Sequence, residues 1–158
     1  MTKTADLYDQ HGASLQISEP LFRDFGGHSD FSGTIATAKV FEDNSLVRAT
    51  LEQTGAGRVL VVDGGGSLRC ALVGDILAAL AVSNGWSGIV VYGCIRDAAE
   101  IATLPIGLKA LNTCPAKSVK RGRGQLELPV RFAGIDFQPG HYLYADLDGI
   151  AVAPARLD

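Results

Sequence analysis

The fold is decided by residues 58–93, RVLVVDGGGSLRCALVGDILAALAVSNGWSGIVVYG. This stretch opens with the β-branched run Arg58-Val59-Leu60-Val61-Val62-Asp63 and closes with a second such run, Gly88-Ile89-Val90-Val91-Tyr92-Gly93. Apolar residues at consecutive positions indicate strands that are buried on both faces. Between the runs, Asp75 to Ser83 carries an apolar stripe at helical spacing, and Asn84-Gly85 is a natural helix stop. The pattern predicts a βαβ unit with two parallel strands.

The flanking segments extend this unit on both sides. A helix is predicted from about Asn44 to Gln53, with Asn44 as its cap and Leu46, Val47 and Leu51 on its inner face. The C-terminal third changes character, because its short alternating runs predict mostly antiparallel strands. These runs are Gln125 to Phe132, Gly134 to Phe137, His141 to Ala145 and Gly149 to Val152. No internal repeat is present, so we expect a single compact α/β domain over residues 1–158.

Composition and charge favour an ordinary globular protein over other classes. Hydrophobic residues make up 47% of the 158 residues and charged residues 20%. The apolar runs are shorter than the ~20 residues that cross a bilayer, and the N-terminus lacks a secretory pattern. We therefore expect a cytoplasmic protein with no membrane contact. The net charge of −3 gives no general attraction to nucleic acid, so we expect no direct nucleic-acid binding.

The cysteines and histidines show neither a disulfide pattern nor a metal-ligand pattern. They are Cys70, Cys94, Cys114, His11, His28 and His141. The cysteines are odd in number and contain no Cys-x-x-Cys pair, so we expect reduced thiols. The histidines are far apart in sequence, which favours structural or surface roles.

For two further motifs we prefer a structural interpretation to a functional one. Gly64-Gly65-Gly66-Ser67 follows a strand, but it lacks both the lysine of a phosphate loop and the spacing of a dinucleotide fingerprint. A tight turn is the better interpretation, and Ser67 lacks the context of a hydrolase nucleophile. The basic stretch Lys117 to Arg123 has the charge to contact RNA phosphates, yet it contains no aromatic residue. Such a stretch is typical of a solvated loop.

Two segments lie where open α/β folds bind ligands, at the carboxyl ends of parallel strands. Gly74-Asp75-Ile76-Leu77 opens a helix, and free N–H groups at a helix start bind a carboxylate or phosphate. Gly93-Cys94-Ile95-Arg96-Asp97 places a cation beside an acid. Arg96 can hold a carboxylate or enolate oxygen with two N–H donors, and Asp97 suits a hard divalent cation such as Mg²⁺. An adjacent Arg-Asp pair is also common as a surface ion pair. The location of this pair at the carboxyl end of a strand is what favours a functional site.

Four blocks of sequence resemble the RraA-like family, which is named for a regulator of ribonuclease E activity. They are Phe25-Gly26-Gly27, Phe41-Glu42-Asp43-Asn44, the segment from Val61 to Arg69, and Tyr92-Gly93-Cys94-Ile95-Arg96-Asp97. The resemblance extends from about Thr4 to Ala153. The family includes divalent-metal 4-hydroxy-4-methyl-2-oxoglutarate aldolases, whose motif is an Asp, twenty residues, then Arg-Asp. Asp75, residues 76–95 and Arg96-Asp97 match this motif.

This resemblance implies a swivelling β/β/α fold, a homotrimer and a role for each site residue. The backbone amides of Gly74, Asp75, Ile76 and Leu77 would hold the carboxylate of a small 2-oxo acid such as pyruvate or oxaloacetate. Arg96 would bind the keto or enolate oxygen, and Asp75 would position a water for proton transfer. Asp97 would anchor the metal, Mg²⁺ or Mn²⁺, partly through water, and Glu100 would orient metal-bound water.

The resemblance leaves two functions open. One is a class II aldolase (a lyase) that cleaves 4-hydroxy-4-methyl-2-oxoglutarate to pyruvate and has oxaloacetate decarboxylase activity. The other is a non-catalytic inhibitor that binds ribonuclease E or an RNA helicase. Regulators can carry an uncharged residue after the arginine, so Asp97 favours the enzyme, although aldolases often extend beyond the point where this chain stops. Menaquinone methylation, attached by name to some similar sequences, has no matching nucleotide loop here.

Overall fold

Short β-branched runs separated by glycine turns produce twelve strands and four helices in the computed structural model, which describes residues 1–158. The helices are α1 (Thr4–His11), followed by a 3-10 turn (Gly12–Ser14), α2 (Ser45–Leu51), α3 (Asp75–Ser83) and α4 (Ala98–Ile101). The strands are β1 (Gln16–Ile17), β2 (Arg23–Asp24), β3 (Phe31–Lys39), β4 (Val59–Asp63), β5 (Ala71–Val73), β6 (Gly88–Ile95), β7 (Gly107–Thr113), β8 (Gln125–Leu126), β9 (Val130–Phe132), β10 (Ile135–Phe137), β11 (Tyr142–Asp146) and β12 (Gly149–Ala153). None of the helices has the length and apolar composition that crossing a bilayer requires.

The predicted βαβ unit is confirmed. β4 and β6 are parallel neighbours, with Val61 opposite Val90, and α3 lies between them in the chain. The sequence did not predict β5, a three-residue strand that pairs in parallel with the carboxyl-terminal half of β6. Because β5 ends at Val73, it delivers Gly74 and the start of α3 to the carboxyl edge of the sheet.

The main sheet has the order β1-β12-β11-β3-β4-β6-β7-β2, with β5 beside β6 and β8 beside β3. Its centre, β3-β4-β6-β7, is parallel, whereas β11, β12 and β1 add antiparallel strands at one end. The antiparallel C-terminal third is thus confirmed. The predicted run from Gln125 to Phe132 is interrupted, because Glu127 adopts a left-handed conformation (φ 56°) and Pro129 lacks an N–H for the ladder.

Hydrophobic side chains cover both faces of the central strands. Alternate residues of β4 point to opposite sides, so Leu60 and Val62 join one core with α2 and α3, while Val59 and Val61 join another with the C-terminal strands. All five residues of β4 are buried. Burial on both sides explains why this strand has a continuous apolar run instead of an alternating one.

Asn44 is the N-cap residue of α2, as predicted, but the helix ends at Leu51, two residues before the predicted end, and the Asn44 side chain does not cap it. Asn44 occupies the N-cap position, but its amide donates to the carbonyl of Leu72 (3.1 Å) and not to the helix. The carboxylate of Asp43 instead accepts the N–H of Ser45 (2.9 Å). The predicted inner face is confirmed, since Val47 and Leu51 are buried and Leu46 packs against the same core.

Candidate active site

The two segments singled out in the sequence meet in one pocket. Gly74, Asp75, Ile76 and Leu77 form one side of it at the start of α3, and Arg96 and Asp97 follow the end of β6. β5 and β6 are parallel neighbours, so their carboxyl ends place these segments side by side. Six lining residues were not predicted, namely Asn44, Arg48, Ala71, Lys117, Ser118 and Lys120. Only three of the twelve lining residues are hydrophobic, which makes the pocket suitable for a polar ligand.

Asp97 is held in an unusual backbone conformation. Its φ and ψ are 60° and 42°, the left-handed region in which Asp and Asn are the best tolerated residues after Gly. Its Oδ2 accepts the N–H of Asp75 (3.1 Å). Its carbonyl accepts the N–H of Ile101 (3.0 Å), so Asp97 is the N-cap residue of α4. Strained conformations of this kind concentrate at functional sites. The other carboxylate oxygen, Oδ1, accepts no hydrogen bond from the chain.

Gly74 is required for the close approach of Asp97. A Cβ atom at position 74 would lie 2.7 Å from Oδ2 of Asp97 and 3.5 Å from Cγ of Arg96. The first distance is shorter than any stable van der Waals contact. Any side chain here would therefore displace the Asp97 carboxylate.

Gly74→Ala is expected to lower any activity that depends on the Asp97 carboxylate at least about tenfold, because a misplacement of ~1 Å in a functional site can cost ~10²-fold. Folding stability should change little, since the new methyl group meets the movable end of a side chain. The rate of the pyruvate release that the family resemblance implies, together with thermal melting, measures the two effects. Gly93→Ala is the matched control, because its Cβ would meet Cδ1 of Leu72 at 3.3 Å and no atom of Asp97. Equal losses in both variants would contradict this role of Gly74.

The N–H groups at the start of α3 already hold carboxylates of the chain itself. Asp97 Oδ2 accepts the N–H of Asp75, and Asp75 Oδ1 accepts the N–H of Ile76 (2.8 Å). The N–H of Leu77 has no acceptor in the chain. The helix start thus attracts carboxylates, as its unpaired donors and dipole lead us to expect. A ligand carboxylate could accept the free N–H of Leu77. To accept the N–H of Ile76 as well, it would have to displace the Asp75 side chain.

Arg96 has no ionic partner. Its side chain is exposed, and its single hydrogen bond runs from Nη1 to the carbonyl of Pro115 at 3.4 Å. No carboxylate lies within ion-pair distance, so the surface ion pair that adjacent Arg and Asp residues often form is absent. Most of the guanidinium donors are therefore available to a ligand.

A segment that we term the strap, residues 116–123, forms another side of the pocket. Its backbone is joined to β5 by Ala71 N–H to the Ala116 carbonyl (2.8 Å), and to the segment before α2 by Val119 N–H to the Glu42 carbonyl (3.0 Å). Ser118 is buried and its hydroxyl accepts the N–H of Asn44 (3.2 Å). The prediction of a simple solvated loop is incomplete, because the strap is attached along its length and brings Lys117 and Lys120 to the pocket.

Asp43 is the main anchor of the strap. This buried carboxylate accepts the N–H groups of Arg121 (2.8 Å) and Arg123 (3.2 Å), and also the N–H and hydroxyl of Ser45. Burial by itself would raise the pKa of Asp43, but these hydrogen bonds outweigh it and lower the pKa from 3.8 to about 2. Asp43 thus stays ionised and fixes the strap near neutral pH.

Asp43→Asn is expected to reduce the free energy of unfolding by about 2 kcal/mol near neutral pH, since hydrogen bonds to a charged group contribute about 1.5–3 kcal/mol. The amide NH₂ would also face the N–H groups of Arg121 and Arg123. Because folding depresses the pKa of Asp43, its stabilisation is complete above pH 3.8 and is lost as the pH falls through about 2. Urea unfolding of both proteins should therefore show a stability difference that narrows across this range. A difference that did not change with pH would contradict the assignment.

The other residues that the sequence analysis considered have no role in the pocket. The Gly64–Ser67 segment is confirmed as a tight turn, since Gly65 and Gly66 have positive φ and the N–H groups of Gly64 and Gly66 both donate to the Tyr92 carbonyl. The three cysteines are free thiols, as predicted, and burial raises the pKa of Cys70 and Cys94, which disfavours a thiolate nucleophile. Glu100 is exposed and does not line the pocket.

The family model for RraA-like proteins, described as Aldolase/RraA, matches residues 4–152. The chain belongs to the RraA-like family. A relative from Laribacter hongkongensis, provisionally named as a 4-hydroxy-4-methyl-2-oxoglutarate aldolase, is 62% identical over 98% of this chain and 97% of its own. The RNA-processing inhibitor RraA of Thermus thermophilis has a TM-score of 0.97 and 45% identity, and the match covers 100% of this chain and 96% of that one. A Geobacillus kaustophilus structure, named as a 2-dimethylmenaquinone methyltransferase, has a TM-score of 0.97 and 52% identity, covering 99% and 97%.

These comparisons confirm the resemblance and the fold of the RraA-like family. They cover nearly all of each chain, so the pocket lies within the shared structure. The names of the three relatives nevertheless differ in kind: an aldolase, an inhibitor and a methyltransferase. The function of this chain must therefore be argued from its own pocket.

Proposed function

We propose that this RraA-like protein is a divalent-metal-dependent class II aldolase that cleaves 4-hydroxy-4-methyl-2-oxoglutarate into two molecules of pyruvate. By the same route it would decarboxylate oxaloacetate, because both reactions leave the electron pair of the broken carbon–carbon bond on a pyruvate enolate. The observation that supports this most directly is the unpaired guanidinium of Arg96, which lies beside Asp97 and the start of α3 in one polar pocket. The provisional names of the most similar relatives agree.

Each residue then has a distinct role. The start of α3, with the free N–H of Leu77, binds the carboxylate next to the keto group. Arg96 donates to the keto oxygen, and its two-donor fork stabilises the negative charge as the enolate forms. Asp75, whose carboxylate is held only by the N–H of Ile76, positions a water that exchanges a proton with the substrate.

The donor set fits a hard cation that keeps much of its own water. No group of three His, Cys, Asp or Glu side chains lies close enough to enclose a metal ion. Asp97 presents one carboxylate oxygen without a hydrogen bond, and Mg²⁺ typically binds proteins through one or two carboxylates and several waters. Asp97 would therefore hold Mg²⁺ or Mn²⁺. Such an ion would supply Lewis-acid stabilisation of the enolate oxygen.

The second candidate is a regulator of RNA processing, favoured by the close match to the Thermus inhibitor. It requires a partner surface for ribonuclease E or an RNA helicase and no chemistry in the pocket. Methyl transfer is not proposed, because the N–H groups of the Gly64–Ser67 turn are occupied within the chain: those of Gly64 and Gly66 donate to the Tyr92 carbonyl, and that of Gly65 donates to Asp63.

Two assays on the same sample distinguish the two candidates. Purified protein is incubated with 4-hydroxy-4-methyl-2-oxoglutarate and with oxaloacetate, and pyruvate release is followed with Mg²⁺, after EDTA, and after Mg²⁺ is restored. The aldolase requires release from both substrates that EDTA stops and Mg²⁺ recovers. Absence of release, together with inhibition of ribonuclease E by the same sample, would support the regulator instead.

The family resemblance further predicts a homotrimer, and light scattering should give about three times the 16.6 kDa of one chain. Exposed apolar side chains on three linked segments support self-association. Phe41, Leu68 and Val119 are each more than half exposed, on segments joined through Glu42. A neighbouring subunit would cover them. A mass near that of one chain would contradict the trimer.

A further inference from the structure

The pocket contains more positive charge than the proposed chemistry requires. Four cations line it, and Arg96, Lys117 and Lys120 form no ion pair, whereas Arg48 pairs with Glu52 (2.9 Å). The two acidic residues that line the pocket, Asp75 and Asp97, both accept N–H groups of α3. Arg96 is assigned to the keto oxygen. Two lysines therefore remain without a partner.

These lysines differ from ordinary surface lysines because their backbone is fixed. Hydrogen bonds join the strap to Ala71, to Glu42 and Asn44, and to the buried carboxylate of Asp43. The attachment holds the backbone of both lysines at the pocket, and their exposed side chains form no ion pair there. An anion bound in the pocket would meet both positive charges. The α3 start and Arg96, on another side of the pocket, serve the 2-oxo acid end of a substrate.

On the basis of the proposed aldolase function, we propose that Lys117 and Lys120 bind a second carboxylate of the substrate. The pocket would then select 2-oxo acids that carry a carboxylate at both ends, and it would discriminate against those that end in a methyl group. Selection comes from the strap lysines alone, because the start of α3 and Arg96 contact the end that both kinds of acid share. Asp43 has a positioning role, since it holds the strap in place.

The experiment uses two unreactive ligands that differ only at the far end. 2-Oxoglutarate and 2-oxopentanoate have the same five-carbon 2-oxo acid chain, terminated by a carboxylate or a methyl group. Their dissociation constants are measured by calorimetry in the presence of Mg²⁺, for the wild type, for the double variant Lys117→Met/Lys120→Met, and for the control Lys39→Met. Lys39 is exposed and lies outside this pocket.

The wild type and the control should prefer 2-oxoglutarate by roughly tenfold, because each exposed ion pair contributes up to ~fivefold. The double variant should lose that preference while its affinity for 2-oxopentanoate stays the same. In the wild type, added salt should weaken the preference, since exposed charge pairs are screened. Circular dichroism would confirm that the double variant is folded.

Three results would overturn the second-carboxylate site: equal wild-type affinity for both ligands, no binding of either, or a double variant that loses both ligands equally. The last would show that the lysines support the strap and not a carboxylate. The aldolase function is tested separately, by the release of pyruvate. A clear preference without pyruvate release would retain the site and reject the aldolase, and pyruvate release without any preference would do the reverse.

Discussion

Asp97→Asn is expected to abolish metal-dependent pyruvate release while the free energy of unfolding stays within about 1 kcal/mol of the wild type. Asparagine has the volume of aspartate and tolerates the left-handed conformation that position 97 adopts (φ 60°). Its side-chain oxygen still accepts the N–H of Asp75. The negative charge is lost, however, and with it the affinity for a hard divalent cation. Steady-state assays after metal stripping and Mg²⁺ addition, with urea unfolding, measure both quantities.

The control for this variant is Asp9→Asn, an exposed carboxylate of α1 outside the pocket. Calorimetric titration with Mn²⁺ adds a readout that does not depend on turnover. We expect binding in the wild type and in the control but not in Asp97→Asn. Full activity of Asp97→Asn after metal stripping would show that another group holds the metal.

The central unit was predictable because its signals are local. Buried parallel strands need continuous apolar runs, and α3 needs only its own stripe and the stop at Asn84-Gly85, so residues 58–93 contain nearly everything that specifies β4, α3 and β6. β5 was not predictable in this way. It is three residues long and exists as a strand through pairing with β6, and that pairing depends on the rest of the sheet.

The strap shows most clearly where sequence reasoning fails. Its basic composition matches that of a solvated loop, and one of the hydrogen bonds that fix it joins Arg121 to Asp43, 78 positions earlier in the chain. Asp43 was noticed only as part of a motif, and the cap of α2 was assigned to its neighbour Asn44. A carboxylate that serves one helix and a distant segment at once has no local pattern. Lys117 and Lys120 were therefore assigned to a solvated loop and not to the pocket that they line.

The six predicted site residues do line one pocket, because the carboxyl ends of parallel strands meet at the same edge of a sheet. The state of their hydrogen bonds was not predictable. The N–H groups of Asp75 and Ile76 were expected to be free, but neighbouring carboxylates occupy both. The left-handed turn at Asp97 and the space beside Gly74 create the first of these contacts, and neither is visible in residue types alone.

Arg96→Lys is expected to lower turnover by ~10²–10³-fold, the usual effect of losing one preorganised donor to a developing negative charge. Lysine keeps the positive charge but not the planar pair of N–H donors, so the enolate oxygen would be held in a poorer geometry. Stability should change by about 0–1 kcal/mol at most, because the arginine is exposed and forms no ion pair in the folded chain. Rates of pyruvate release, normalised to folded protein, and thermal melting measure the two effects.

The contrast between these two measurements decides whether Arg96 acts on substrate or on structure. Arg131→Lys is the matched control, since Arg131 is similarly exposed but pairs with Asp136 (2.8 Å), and neither residue lines the pocket. A catalytic Arg96 requires a large loss of turnover that Arg131→Lys does not share. If Arg96→Lys instead melted well below the wild type with normal turnover per folded molecule, Arg96 would mainly stabilise the fold, through its hydrogen bond to Pro115. The proposed enolate site would then lose the residue on which it chiefly depends.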